Sequence, residues 1–127
     1  MTKPPASISH LRQRLRQLHQ EQSDLLGVMM ECGPMIVGSV YLTYRTCSYP
    51  NCRCHKGQKH GPFVAISYTL DGKRRSRPIR AEDVEMVRAK AQAYKRFQTT
   101  RTRWRKLCRQ CEEVLEKIRL STAEQYQ

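Results

Sequence analysis

The stretch CSYPNCRCHKGQKH, residues 47–60, places cysteines and a histidine at the spacing Cys-x4-Cys-x-Cys-x5-His. Ser48, Pro50, Asn51 and Gly57 separate them, and these are residue types that bend a chain. Zinc takes four soft or borderline ligands in a tetrahedron and prefers thiolate sulfur and imidazole nitrogen. Cys47, Cys52, Cys54 and His60 supply that set from one short loop, so the stretch reads as a zinc knuckle. Three thiolates and a neutral imidazole around Zn2+ leave a formal charge of about −1. Arg45, Arg53, Lys56 and Lys59 surround the loop and would offset it.

His55 is the rival fourth ligand, but it directly follows Cys54, and adjacent residues reach one metal only with strain. His60 precedes Gly61-Pro62, where the loop must turn into a strand, and is preferred. The Cys-x-Cys element is tighter than the usual spacing of about two to four intervening residues. Ordinary reduced thiols or disulfides are the competing readings. No N-terminal hydrophobic signal segment is evident, which argues against oxidising export and for a cytoplasmic chain. Buried free cysteines favour apolar surroundings, whereas this loop is basic and polar.

On either side of the knuckle the sequence reads as strand. Residues 35–44, MIVGSVYLTY, are rich in β-branched and aromatic types, with Gly38 as a bulge or close-packing point. Residues 63–70 form a second strand, and Asp71-Gly72 is a favoured two-residue hairpin turn leading into a third over residues 73–79. That turn sets Leu70 opposite Lys73, Tyr68 opposite Arg75, Ile66 opposite Arg77 and Val64 opposite Ile79. The face of Val64, Ile66 and Leu70 is expected to be buried, yet Arg75 and Arg77 fall on it. Either these arginines reach past the sheet edge or the pairing slips at Pro78.

Helices flank the sheet. Leu11, Leu15, Leu18 and Leu25 recur in steps of three and four, with Gln22 in register, and predict a helix over 8–31 after an arm at 1–7, capped by Ser7 or Ser9. Gly33-Pro34 ends it. From Ala81 to about Leu120 no glycine or proline intervenes, Glu82 and Asp83 suit a helix N-terminus, and a tail follows at 121–127. Val84, Val87, Ala91 and Tyr94, then Trp104, Cys108, Cys111, Leu115 and Ile118, mark the apolar seam. The expected fold is a single α+β domain with a zinc-stabilised three-stranded antiparallel sheet at 35–80 and the two helices paired antiparallel as a helical hairpin or coiled coil. Self-pairing into a homodimer is the alternative. Cys108 and Cys111 read as core filling, with a second metal or redox site, or an inter-subunit contact, as the rivals, and Cys32 has no assigned role.

The chain carries 24 Lys and Arg against 11 Asp and Glu, a net charge of +13, which favours a polyanionic partner. Nucleic acid leads, ahead of an anionic membrane surface or an acidic protein, with DNA favoured over RNA. The most apolar region, residues 27–44, contains Glu31 and Gly33-Pro34 and is a poor membrane span. Lys73, Arg74, Arg75 and Arg77 would present charge on the hairpin, as a β-ribbon does in a major groove. Arg101, Arg105 and Arg109 share a helix face and would add a phosphate-binding stripe, against the plainer reading of a solvated basic face. Tyr41, Tyr44, Tyr49 and Tyr68 could instead stack on unpaired bases. Catalysis is not expected. The zinc-deaminase elements are missing, no carboxylate cluster suits a metal nuclease, and four protein ligands close a zinc site.

GSVYLTYRTC, PNCRC and the run from HGPFVAISY to DGKRRSR resemble a group of small uncharacterised bacterial and archaeal proteins, many of them carried by mobile elements. The similarity covers about residues 36–120, and its most specific part is the Cys-x4-Cys-x-Cys-x5-His-Gly-Pro string. The first helix lies outside it. The resemblance implies metal positions at Cys47, Cys52, Cys54 and His60 and a mobile-element setting. The function expected is a zinc-containing nucleic-acid-binding accessory protein. Its alternatives are an adaptor on a larger mobile-element protein or nucleoprotein enzyme and a single-strand binder.

Overall fold

The computed structural model describes residues 7–126. In chain order it contains helix α1 (Ile8–Met30), strand β1 (Ser39–Arg45), a 3-10 turn (Arg53–Lys56), strands β2 (His60–Leu70) and β3 (Lys73–Pro78), a second 3-10 turn (Ala81–Asp83) and helix α2 (Val84–Thr122). The arm expected at 1–7 lies, apart from Ser7, outside the described residues. Ser7 caps α1, its hydroxyl accepting from the His10 amide at 3.3 Å. No helix of the described residues is long and apolar enough to cross a membrane.

The chain divides into two compact units, one formed by α1 with the part of α2 from Phe97 onward, the other by Gly33–Arg96. In the helical unit, Leu11 and Leu18 of α1 are buried with Leu107 and Val114 of α2, flanked by Ile8, Leu15, Leu25, Cys111 and Ile118. Glu21 meets Arg103 at 3.4 Å, whereas Leu15 and Gln22 share a hollow with Cys111 and Leu115, so the two helices run antiparallel. The expected seam is turned on the α2 side, where Leu107 and Val114 are buried and Leu115 is 46% exposed. Leu107, Cys111, Val114 and Ile118 recur in the same steps as the expected set and share two of its members. Both edges of that apolar band satisfy a helical repeat, and the narrow leucine seam of α1 covers one of them.

Gln22, the polar residue in the α1 seam, lies against both helix cysteines. Its amide donates to Cys108 Sγ at 3.2 Å, and Cys111 Sγ donates to its oxygen at 3.4 Å. Cys108 and Cys111 thus fill the seam with their polar capacity met. Trp104 is half-buried, with its indole nitrogen buried and lacking an acceptor among the described residues.

The sheet order is β1-β2-β3, antiparallel throughout. Asp71 and Gly72 both take positive φ, as their turn requires, and the pairings Leu70–Lys73, Tyr68–Arg75 and Ile66–Arg77 form as expected. The Ile79 amide donates to the Val64 carbonyl at 2.9 Å, so no slip occurs at Pro78. Arg75 and Arg77 remain exposed on the face they share with buried Ile66, carrying their charged ends to solvent. Leu70 is 48% exposed, so burial on that face centres on Ile66. Strand β1 starts later than expected, because the Ile36 amide donates to the Lys90 carbonyl instead of to a strand. Gly38 is the close-packing point. A Cβ there would sit 2.8 Å from Ile66 Cγ1 and from the Ser67 carbonyl.

Candidate metal centre

Residues 47–60 leave β1, make one 3-10 turn and return as β2. Cys52 is the residue ahead of that turn, in an extended conformation (φ −74°, ψ 145°), and the His55 amide donates back to its carbonyl at 3.1 Å. Gly57, with φ 103°, ends the turn. The tight Cys-x-Cys spacing works because Cys52 is extended and Cys54 is helical, which brings both sulfurs to one side. Cys54 is only 2% exposed, and the Cys47 amide donates to its sulfur at 3.2 Å.

The fourth group arrives from β2. Thr43 pairs with Phe63, but Arg45 pairs with His60, so β2 carries one extra residue at Gly61-Pro62. An extra residue moves every following side chain to the other face of a strand. That is how His60, now the first residue of β2, points with the cysteines. Gly61 permits the close approach. Its φ is 138°, and a Cβ would fall 2.9 Å from both the Thr43 carbonyl oxygen and the Tyr44 ring.

Cys47 Sγ and Cys54 Sγ are 3.5 Å apart, Cys52 Sγ and His60 Nε2 are 3.3 Å apart, and all four ligand atoms lie within 4.8 Å of one another. Ligands bound to a tetrahedral ion at about 2.0–2.3 Å stand roughly 3.5–3.8 Å apart, so the donor set fits a metal ion. No cysteine among the described residues forms a disulfide, and the sulfur separation excludes a Cys47–Cys54 bridge in this arrangement. The rival His55 is engaged elsewhere. Its Nε2 donates to the Cys47 carbonyl at 2.9 Å and ties the loop together.

The electrostatics favour a metal ligand at Cys52. The Cys54 backbone amide, helped by the side chains of Cys47 and Cys54, lowers the Cys52 thiol to about 6, so it is mostly thiolate at neutral pH. Burial pushes the Cys54 thiol upward. A cation would supply the compensating charge.

The basic residues expected to touch nucleic acid are spread over both units and several elements. Arg53 and Lys56 ride on the 3-10 turn and Lys59 on the loop after it, all exposed. Arg45 lies over the Phe63 ring, 4.5 Å from its centroid. Strand β3 is exposed along its length, and its alternation splits the hairpin residues. Arg74 donates to the Ser67 hydroxyl at 3.0 Å on one face, while Lys73, Arg75 and Arg77 occupy the other. On α2, Arg105 and Arg109 are exposed, and half-buried Arg101 lies over the Phe97 ring at 5.5 Å. Sequence reasoning missed Phe63 as an exposed aromatic beside Tyr41. The signal was absent locally, because their proximity depends on how β1 pairs with β2.

The family described as Domain of unknown function (DUF6788) matches residues 8–89, and the chain belongs to it. The match takes in α1, which the sequence resemblance left outside, and stops near the start of α2. No curated protein and no solved structure matches the chain.

Proposed function

We propose that this member of the DUF6788 family is a zinc-containing, non-catalytic accessory protein that binds nucleic acid, with DNA favoured. The mobile-element setting and cytoplasmic location belong to the same reading and rest on the sequence. Three cysteines with one histidine form a soft donor set that suits zinc better than the hard cations. Cys47, Cys52, Cys54 and His60 would hold the ion. Bound there, it would cross-link the end of β1, the 3-10 turn and the start of β2, with no coordination position left for a substrate.

One observation carries the binding reading. Among the described residues, ion pairs join Arg103 to Glu21 and Arg119 to Glu116, and none neutralises Arg45, Arg53, Lys56, Lys59 or the cations of β3. Asp71, in the hairpin turn, is the sole acidic residue between Gly33 and Arg80. Positive charge held exposed without acidic partners is the electrostatic footprint of a phosphate-binding surface.

The test is binding to duplex DNA, single-stranded DNA and RNA across a salt series, with metal content measured in parallel. Binding should weaken steeply with salt. The charge reversals Arg74→Glu, Arg75→Glu and Arg77→Glu should each weaken it further, reduce the salt slope by about one per lost phosphate contact and leave the metal in place. Unchanged affinity and slope in all three variants would refute the hairpin's role. Weak, salt-insensitive binding by a metal-loaded chain would favour an adaptor that docks on a larger nucleoprotein.

A further inference from the structure

One face of the sheet combines features that phosphate binding alone does not require. Strand alternation and register place Tyr41 and Thr43 of β1, Phe63, Ala65 and Ser67 of β2, and Arg74, Ser76 and Pro78 of β3 on the same side. Tyr41 is directly opposite Ala65, and Ala65 is opposite Pro78. The Tyr41 hydroxyl nevertheless hydrogen-bonds the Ser76 hydroxyl on β3, two strands away. To reach it, the tyrosine side chain must cross over β2.

It can do so because residue 65 carries only a methyl group, which is left 5% exposed. The ring is thereby held down across the sheet, and Tyr41 as a whole stays 38% exposed. Phe63, the diagonal neighbour on β2, is 39% exposed, and the Arg45 guanidinium lies over its ring. Tyr41, Thr43, Arg45, Phe63, Ala65 and Pro78 line a shallow groove of about 220 Å³.

Large aromatic surface left exposed on a rigid sheet is unusual unless something covers it. Here the rings come with cations and without acids. Arg45 extends one ring and Arg74 flanks the other end of the face, while Asp71, the one acid in this part of the chain, sits in the turn. Bases stack on aromatic rings and on guanidinium planes, and their phosphates seek cations, so the charge selects a polyanion whose apolar parts are flat. A duplex does not offer its base faces, because they are stacked on one another. The complementary occupant is an unpaired strand.

We propose that this face is a stacking platform for single-stranded nucleic acid, with one base on Tyr41 and the next on the Phe63–Arg45 stack. The inference rests on the nucleic-acid reading above and specifies its substrate as an unpaired strand. The hydroxyls of Tyr41 and Ser76 are bonded to each other, and that of Ser67 accepts from Arg74, which helps fix the face on which the bases would stack.

The experiment is fluorescence anisotropy with the full chain, metal-loaded, against oligo-dT, oligo-U and a blunt duplex of equal length. Both single strands should bind more tightly than the duplex. Tyr41→Leu and Phe63→Leu keep apolar bulk but remove the stacking face, and each should weaken single-strand binding by about tenfold while leaving the salt slope and metal content unchanged. Photo-crosslinking of iodouracil-substituted oligo-dT to the unaltered protein should map to Tyr41 or Phe63, which tests the platform even if a variant folds poorly. Duplex preference, with both variants binding like the parent and crosslinks mapping elsewhere, would overturn the platform but leave nucleic-acid binding standing. Failure to bind any of the three ligands would overturn both.

Discussion

The helical unit buries Leu11, Leu18, Leu107 and Val114 in one continuous seam, while the apolar residues buried in the sheet unit are Cys54, Ala65, Ile66 and Ala91. Leucine and valine bring large apolar areas out of water. In the sheet unit Ile66 is the one large aliphatic side chain buried, two alanines bring little, and Cys54 offers its sulfur to the candidate metal centre. The helical unit is therefore held by hydrophobic burial spread over several turns, whereas the sheet unit would gain most from a metal cross-link at Cys47, Cys52, Cys54 and His60, which are positioned to bind one. A small sheet with a long basic connection can be made rigid in this way without a large core.

The largest expected effect follows from removing that cross-link. A strong chelator, or Cys54→Ser, should abolish stoichiometric metal binding and release hydrogen-exchange protection over residues 46–70, while α1 and the end of α2 stay protected. Structural zinc sites contribute on the order of 10 kcal/mol to folding of their modules. Retained protection in the loop after chelation would break the contrast between the units. Acid should act in the same direction. Burial pushes the Cys54 thiol up, and that thiol must lose its proton to bind, so metal affinity should fall as pH falls. Competition with a chromophoric chelator over a pH series measures this.

Next in size is a pair of histidine variants. His60→Ala removes a ligand and should lower metal affinity by orders of magnitude, whereas His55→Ala loses one hydrogen bond to the Cys47 carbonyl, worth about 1 kcal/mol, and should keep the metal. Equal losses from the two would mean that the loop, rather than the ligand set, limits affinity. On the helical side, Leu18→Ala, at a site only 1% exposed, should cost about 2–5 kcal/mol in thermal or denaturant unfolding and leave metal content unchanged. The smallest effect is expected from Cys108→Ala, roughly 1 kcal/mol from the lost contact with Gln22. A fall in metal stoichiometry in that variant would reveal a second site and blur the division between the units.

Much of this organisation was legible along the chain. The Cys and His residues that could hold a metal lie within fourteen positions of one another, and no other such group of three or more occurs among the described residues. The hairpin register follows from Asp71-Gly72, since a two-residue turn leaves one way to pair the strands. Less legible was the buried edge of α2. Trp104, Leu107, Cys108, Cys111, Val114, Leu115 and Ile118 form a band wider than the surface α1 can cover, and a repeat of three and four residues fits either edge of it. The same hairpin register divides the basic run KRRSRPIR, since strand alternation sends Arg74 to one face and Lys73, Arg75 and Arg77 to the other.

Sequence by itself determined the donor set, the hairpin turn and the existence of both helices, because each depends on residues close together in the chain: ligand chemistry, turn dihedrals and apolar periodicity. Tertiary structure showed how His60, rather than the rival His55, is brought to the cysteines, and alone decided that Tyr41 crosses above Ala65 beside Phe63 and Arg45 and that Leu107 and Val114 meet the leucines of α1. These outcomes depend on one extra residue at Gly61-Pro62, on the pairing of β1 with β2 and on which helix face finds a partner. Each is a relation between segments that local sequence leaves open, since shifting a strand by one residue, or turning a helix by a fraction of a turn, changes every contact while leaving the local pattern intact.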